Sequence, residues 1–236
     1  MEQIVPATQF DLRDTPLRDV NAALHAPDLT GDFVVRHPAG AHNVAVGLDA
    51  PVTVTVDGHV GYYAAGMNQR ADVVIHGNAG TGVAENMMSG TVWVKGDASQ
   101  SAGATAHGGL LVIEGNAAAR CGISMKGVDI VVGGSVGHMS AFMAQAGRLV
   151  VRGDAGEALG DSLYEARLFV RGAVRSLGAD CIEKPMCDEH LRDVAELIAA
   201  AGIDAQPADF RRYGSARRLY HVAIDNAAIV TGDSHA

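Results

Sequence analysis

Apolar side chains return along this chain at a fixed interval of nineteen residues, and seven glycines mark the period: Gly58, Gly77, Gly96, Gly115, Gly134, Gly153 and Gly172. Four and two residues before each glycine stand Val54/Val56, Val73/Ile75, Val92/Val94, Leu111/Ile113, Ile130/Val132, Leu149/Val151 and Leu168/Val170. Apolar at alternate positions and mostly β-branched, each pair predicts a short strand with one face in a core. The residues just before the glycines are Asp57, His76, Lys95, Glu114, Gly133, Arg152 and Arg171, so that side of the strand suits solvent. Two residues after each glycine comes a small apolar residue, from Val60 and Ala79 to Ala155 and Val174, which predicts a second inner wall. Seven after it the row reads Ala65, Ala84, Gly103, Gly122, Ala141 and Gly160, with no large side chain.

Nineteen residues are too few for a strand, a helix and two loops, but they suffice for one coil of short strands. The pattern therefore predicts an all-β solenoid, a single-stranded right-handed β-helix of about seven 19-residue coils. At the strand spacing of 4.7–4.9 Å the stack rises roughly 30 Å. The repeated glycine marks a corner that either needs positive φ or has no room for a Cβ. The Asn or Asp that often follows it (Asn78, Asp97, Asn116, Asp154) suits a turn through hydrogen bonds to the local backbone.

The open ends of such a stack need caps. Thr15-Pro16 followed by Leu17, Val20 and Leu24 predicts a short helix. Asp188 to Ala201, with Leu191, Val194, Ala195, Ile198 and Ala201 on one face and Gly202 as stop, predicts another. The organisation is one domain: an N-terminal cap over 1–50, the β-helix over 51–180, and a C-terminal helix with a basic tail over 181–236.

Composition narrows the class. The chain is 48% apolar with 5% aromatics and a net charge of −9, which argues against a nucleic-acid partner, since both stacking platforms and a broad basic stripe are wanting. The sequence has no apolar run of membrane-spanning length and no secretory leader pattern, so the expected partners include no membrane and the expected location is cytoplasmic.

Candidate chemistry is sparse. Cys121 shares its row with Ala64, Val83, Ala102, Ser140 and Leu159 and reads as a small buried residue. Cys181 and Cys187 do not have the spacing of a zinc knuckle or a cluster motif. His76, His107 and His138 fall in different rows, and Asp161-Ser162 with Glu165 reads as a polar turn without a histidine partner. Gly77-Asn78-Ala79-Gly80-Thr81-Gly82 resembles a phosphate cradle but recurs with the coil period. No catalytic, cofactor-binding or metal-binding residue is expected on the chain. Methionines gather at the turns (Met67, Met87, Met88, Met125, Met139, Met143), filling a narrow core or forming an adaptable docking face. Arg211, Arg212, Tyr213, Arg217, Arg218 and Tyr220 concentrate charge and aromatic surface beyond the last coil, which marks them as candidate partner-docking residues.

Gly77–Gly82, Gly108–Ala117 and Val131–Gly137 resemble the GXGXG repeats of the C-terminal β-helix domain of glutamate synthase, a domain type shared with the C subunit of formylmethanofuran dehydrogenase. Ala84–Gly90, Cys121–Gly127, Gly160–Ala166 and Arg212–Tyr220 extend the resemblance to the stand-alone GXGXG subunits of N-methylglutamate synthase. That resemblance implies a non-catalytic scaffold within a heteromeric complex. Its partners would be a class II glutamine amidotransferase-like subunit, with an N-terminal cysteine nucleophile, and an FMN-binding glutamate synthase-like subunit that also carries an iron–sulfur cluster. In this chain Glu2 follows Met1, so the nucleophile is not at the corresponding place. A formylmethanofuran dehydrogenase-type subunit in one-carbon transfer is the alternative. A stand-alone β-helix enzyme, such as a polysaccharide lyase or a left-handed acyltransferase, would require an outer carboxylate and basic cluster or a six-residue period.

Overall fold

The computed structural model describes residues 7–217. It is a parallel β-solenoid of about seven turns with two helices and a single eleven-stranded sheet. In chain order the elements are β1 (Thr8–Asp11), α1 (Leu17–Leu24), β2 (Asp32–Arg36), β3 (Thr53–Asp57), β4 (Asp72–Ile75), β5 (Thr91–Val94), β6 (Leu110–Ile113), β7 (Lys126–Val132), β8 (Ala146–Val151), β9 (Arg167–Val170), β10 (Cys181–Lys184), α2 (Asp188–Ala200) and β11 (Arg211–Ser215). Strands β1 to β9 are parallel neighbours in sequence order; β11 then joins β9 antiparallel, and β10 closes the edge.

The register is set by the rows. Val54, Val73, Val92, Leu111, Ile130, Leu149 and Leu168 stand directly over one another, all buried. A one-residue slip would turn this row outward, so burial pins the pairing. The second wall is a line of parallel bridges from Val60 through Ala79, Ala98, Ala117, Val136 and Ala155 to Val174. Residues read as an N-terminal cap contribute two strands to the same sheet, since Phe33 pairs with Val54 and Thr8 with Phe33. Helix α1 buries Val20 and Leu24 in the main core.

The third wall was only half legible. The small-residue row is left-handed in every coil described: Ala65 (φ 51°), Ala84 (56°), Gly103 (66°), Gly122 (68°), Ala141 (57°) and Gly160 (67°). Its neighbours two residues either side, such as Tyr63 and Met67, are left-handed too. Their N–H groups bond alternately up and down the stack: Tyr63 to Thr81 O (2.9 Å), Ala65 to Val44 O (2.9 Å), Met67 to Glu85 O (2.7 Å). Left-handed backbone is unfavourable for side-chain-bearing residues; here each is held by a hydrogen bond to one neighbouring coil, and together the three tie the wall to the coils on both sides.

One expectation is resolved and one corrected. Of the seven repeat glycines only Gly58 has positive φ (139°); the rest are glycine for want of space. A Cβ on Gly115 would overlap Asp97 Oδ1 and lie 2.8 Å from Gly96 O. The Asn/Asp row does not serve its own turn. Each side chain accepts the N–H of its equivalent one coil later: Asp97 N to Asn78 Oδ1 (2.9 Å), Asn116 N to Asp97 Oδ1 (2.7 Å), Ser135 N to Asn116 Oδ1 (2.9 Å), Asp154 N to Ser135 Oγ (2.9 Å) and Ala173 N to Asp154 Oδ1 (2.7 Å). The glycine beside each acceptor leaves the gap through which it reaches.

The outer face of the sheet also departs from the solvated face expected. Val112, Val131, Val150 and Phe169 form a second core with Val194, Leu197, Ile198 and Phe210, so α2 lies across the last four coils. Its buried face is His190, Val194, Leu197 and Ile198; Ala195 is exposed and Leu191 half-buried.

Candidate functional site

The candidate docking residues divide sharply. Arg211, Arg212 and Tyr213 belong to β11, the strand that closes the stack, and do not form a free extension beyond it. Tyr213 is 2% exposed and joins the main core. Arg211 donates to Gly172 O at 2.8 Å and lies over the Tyr213 ring. Arg217 pairs with Asp180. Arg211 and Arg217 keep their side chains about half or more exposed (47% and 65%), so they remain accessible at the closed end. Arg218 and Tyr220 lie outside the described residues.

The methionine row splits between both of its readings. Met87 and Met125 are fully buried gap-fillers, whereas Met67, Met88 and Met143 are exposed. With Tyr62 and Tyr63 in the coil after Gly58, Met67 and Met88 give the early coils a solvent-facing aromatic and thioether surface. Tyr62 stacks on His42 at 4.5 Å, and a cleft of about 260 Å³ opens between Tyr63, Met67, Glu85 and Asn86.

At the opposite end an ionic network ties α2 to the sheet. Arg148 donates to Asp129 (2.8 and 2.6 Å), Asp193 (3.0 Å) and Glu196 (3.2 Å), while Arg167 reaches Asp193 and Glu189, each at 2.7 Å. The hydrogen bonds to Asp129 hold the Arg148 guanidinium above its usual pKa, against the opposing effect of burial. Two guanidinium groups are thus shared among four carboxylates, and the arrangement is that of a clamp.

Sequence reasoning passed over a second group at that end. Cys187 is the N-cap of α2, and its Sγ stands 3.1 Å from Nδ1 of His190. Cys187, Glu189 and His190 place one potential ligand atom each within 4.8 Å of one another. The signal was a Cys-x-x-His spacing across a helix start, which a search for paired cysteines does not find. His190 is 7% exposed; burial, then the charges of Arg212 and Arg167, hold its pKa below the ordinary 6.5. The fold therefore favours the neutral ring, and the stabilisation is present above about pH 6.5 and lost as pH falls through the lower folded value. Acidification from pH 7 to 5 should loosen α2 before the solenoid, seen as faster amide exchange over 188–200. His190→Gln should remove that pH dependence.

The other candidates have structural roles. Cys121 is fully buried, its thiol pushed up to about 12 by desolvation. Cys121→Ala should cost about 1 kcal/mol, the scale of one buried methylene, and leave any bound partner in place by co-purification. His76, His107 and His138 are exposed on separate coils, and Ser162 Oγ donates to Asp161 Oδ1 at 2.8 Å within a turn. Among the described residues no helix is long and apolar enough to cross a membrane.

The chain is 64% identical over 224 residues to Protein GlxC of Rhizobium meliloti (strain 1021), an alignment that covers 92% of this chain and 97% of that relative. No family model matches the chain.

Proposed function

Because the chain belongs to the GXGXG, glutamate synthase-like family of GlxC, we propose that it is a non-catalytic scaffold subunit of a cytoplasmic glutamate synthase-like complex. The complex meant is N-methylglutamate synthase, which joins methylamine to glutamate and releases ammonia. This chain would hold a glutaminase-like and an FMN-binding synthase-like subunit in register. The single observation that supports the scaffold role is the nineteen-residue register that the core rows keep from β3 to β9, through one bulge in β7. Because every coil is bonded to the next along three walls, one end cannot move relative to the other without breaking a ladder. Two partners docked at different coils are thereby kept at fixed separation, as the passage of an amine between distant sites requires.

The chemistry belongs to the partners on this reading. Cys121 lies inside the coil, Cys181 in the closing sheet and Cys187 on α2, so the three cysteines do not converge on a cluster. The two accessible surfaces offer the docking sites: the tyrosine and methionine face of the early coils, and the exposed Arg211 and Arg217 at the closed end. Aromatic, methionine and arginine side chains are those enriched at interfaces.

The purified chain should show no glutaminase or methylamine-transfer turnover, and activity should appear on adding the companion subunits. Affinity purification from the native host with mass spectrometry of the companions is the test. Recovery of glutaminase-like and flavin-binding chains supports the proposal; turnover by the single chain, or recovery of a metallohydrolase-like partner in their place, sinks it.

A further inference from the structure

We propose that the cleft between Tyr63 and Glu85 is a socket for an arginine side chain carried by a partner subunit; this rests on the scaffold reading and names what one docking face holds. The cleft opens on the outside of the left-handed wall and measures about 260 Å³. That is below the ~300–1,000 Å³ of pockets for whole ligands and suits one side chain.

The backbone fixes both of its principal groups. The Tyr63 N–H donates to Thr81 O at 2.9 Å, the Glu85 N–H to Gly82 O at 3.1 Å, and Glu85 O accepts the Met67 N–H at 2.7 Å. Ring and carboxylate border the same gap: a Cβ on Gly82 would stand 2.7 Å from Tyr63 Cδ1 and 2.8 Å from Glu85 Oε2. From the coil of Gly58 to that of Gly153 this row reads Tyr63, Gly82, Ser101, Arg120, Met139 and Ala158, so the side chain is missing where the tyrosine and the glutamate meet. Asn86 turns its amide oxygen to the Thr105 hydroxyl at 2.6 Å, which leaves Glu85 as the charged acceptor of the cleft.

The neighbouring cations of the chain are engaged elsewhere. Arg36 pairs with Asp57, Arg70 with Asp49 and Lys95 with Glu114, and the half-buried Glu85 has no ion-pair partner among the described residues. A carboxylate beside an aromatic ring fits a guanidinium in particular, whose plane stacks on the ring while its fork offers two N–H donors to the oxygens. One carboxylate is too few ligands for a calcium or magnesium ion. Tyr62, Met67 and Met88 stay about half exposed around the cleft, the aromatic and thioether surface of a protein interface. A second copy of the chain is a poor source of the arginine. Its exposed Arg211 and Arg217 lie at the closed end, and seating them on the early coils would be a heterologous contact that builds rings or filaments of like chains.

The test has two arms. In the first, the full chain is titrated with N-acetyl-arginine methylamide and with its neutral isostere N-acetyl-citrulline methylamide, read by NMR shifts of the Met67 methyl and the Tyr63 ring. The arginine probe should bind about tenfold more tightly than the citrulline probe, the lower end of the worth of a hydrogen bond to a charged group. Glu85→Gln should remove that difference, and Tyr63→Leu should weaken the arginine probe. In the second arm, companions captured from the native host by the tagged chain are eluted with rising sodium chloride. Glu85→Gln, which keeps the shape of the side chain, should release them at lower salt than the wild type does. Equal binding of the two probes, or companions held as firmly by Glu85→Gln as by the wild type, would overturn the proposal and leave the scaffold reading standing. Self-association of the free chain that Glu85→Gln abolishes would overturn it in favour of a second copy. Recovery of no companions by the wild type would sink the scaffold reading and this proposal together.

Discussion

Gly115→Val should lower stability by about 3–4 kcal/mol, combining overpacking at a filled backbone contact with at least one lost hydrogen bond. The new Cβ would sit 2.8 Å from Gly96 O and 2.9 Å from Gly96 C, and would overlap Asp97 Oδ1. That oxygen accepts the N–H of Asn116 at 2.7 Å, so relieving the overlap breaks the polar ladder in mid-stack. Since 1 kcal/mol moves the Tm of a chain this size by about 2–4 °C, the expected fall is about 6–16 °C. The control is Lys95→Ala. Lys95 pairs with Glu114 at 2.6 Å and lies over the Trp93 ring at 4.2 Å, but it is partly exposed. Its loss should cost about 0.5–1 kcal/mol. Equal Tm values for the two variants, measured by circular dichroism, would show that the repeat glycines are not filling-limited.

Phe169→Ala should cost about 3–5 kcal/mol, the range for deleting a buried aromatic ring, and the loss should be concentrated on α2. The ring is fully buried between sheet and helix, the largest member of the row on which Val194, Leu197 and Ile198 sit. Amide exchange is the discriminating measurement: residues 188–200 should lose protection while β3 and β4 keep theirs, because those coils lie outside the second core. Val74→Ala, in the same outer row but only half-buried, should cost about 1 kcal/mol or less. Uniform loss of protection throughout the chain would mean that helix and solenoid unfold as one unit.

The rows that point inward were legible because burial on one face forces an alternation that nineteen-residue spacing repeats seven times. Val54, Val73 and their successors occupy the places the pattern assigns them. The outer row is masked by the mostly charged residue before each glycine, because the apolar position lies two residues earlier. Val112, Val131, Val150 and Phe169 carry the mark of a second apolar face, and a helix to cover it was already visible downstream. The left-handed wall announces itself only as a lack of bulk, since Ala65, Ala84 and Ala141 have no intrinsic preference for positive φ and adopt it because the neighbouring coils do. Arg211 to Tyr213 resembles a docking tail because charge is conspicuous in an acidic chain, but the buried run Tyr213 to Ser215 serves the strand that covers the last coil. The pair Cys187 and His190 was hidden by distance rules written for metal knuckles, which do not describe a side chain at a helix cap.

The register has one further consequence, for how such a molecule can change size. From β3 to β9 the core rows find their equivalents nineteen positions on, with one bulge in β7 that pairs Lys126 with Ala146, so excising residues 96–114, ahead of that bulge, would join Lys95 to Gly115 and set Asn116 above Asn78, with each core rung matched. The product should be shorter by one strand spacing, about 4.8 Å, a change that X-ray scattering of the folded variant would register. Removing half as many residues would set strand against bend and leave no fold to measure. Length is thus geared: the molecule is a ruler with one tooth per coil, and any span it sets between two partners can evolve only by whole teeth.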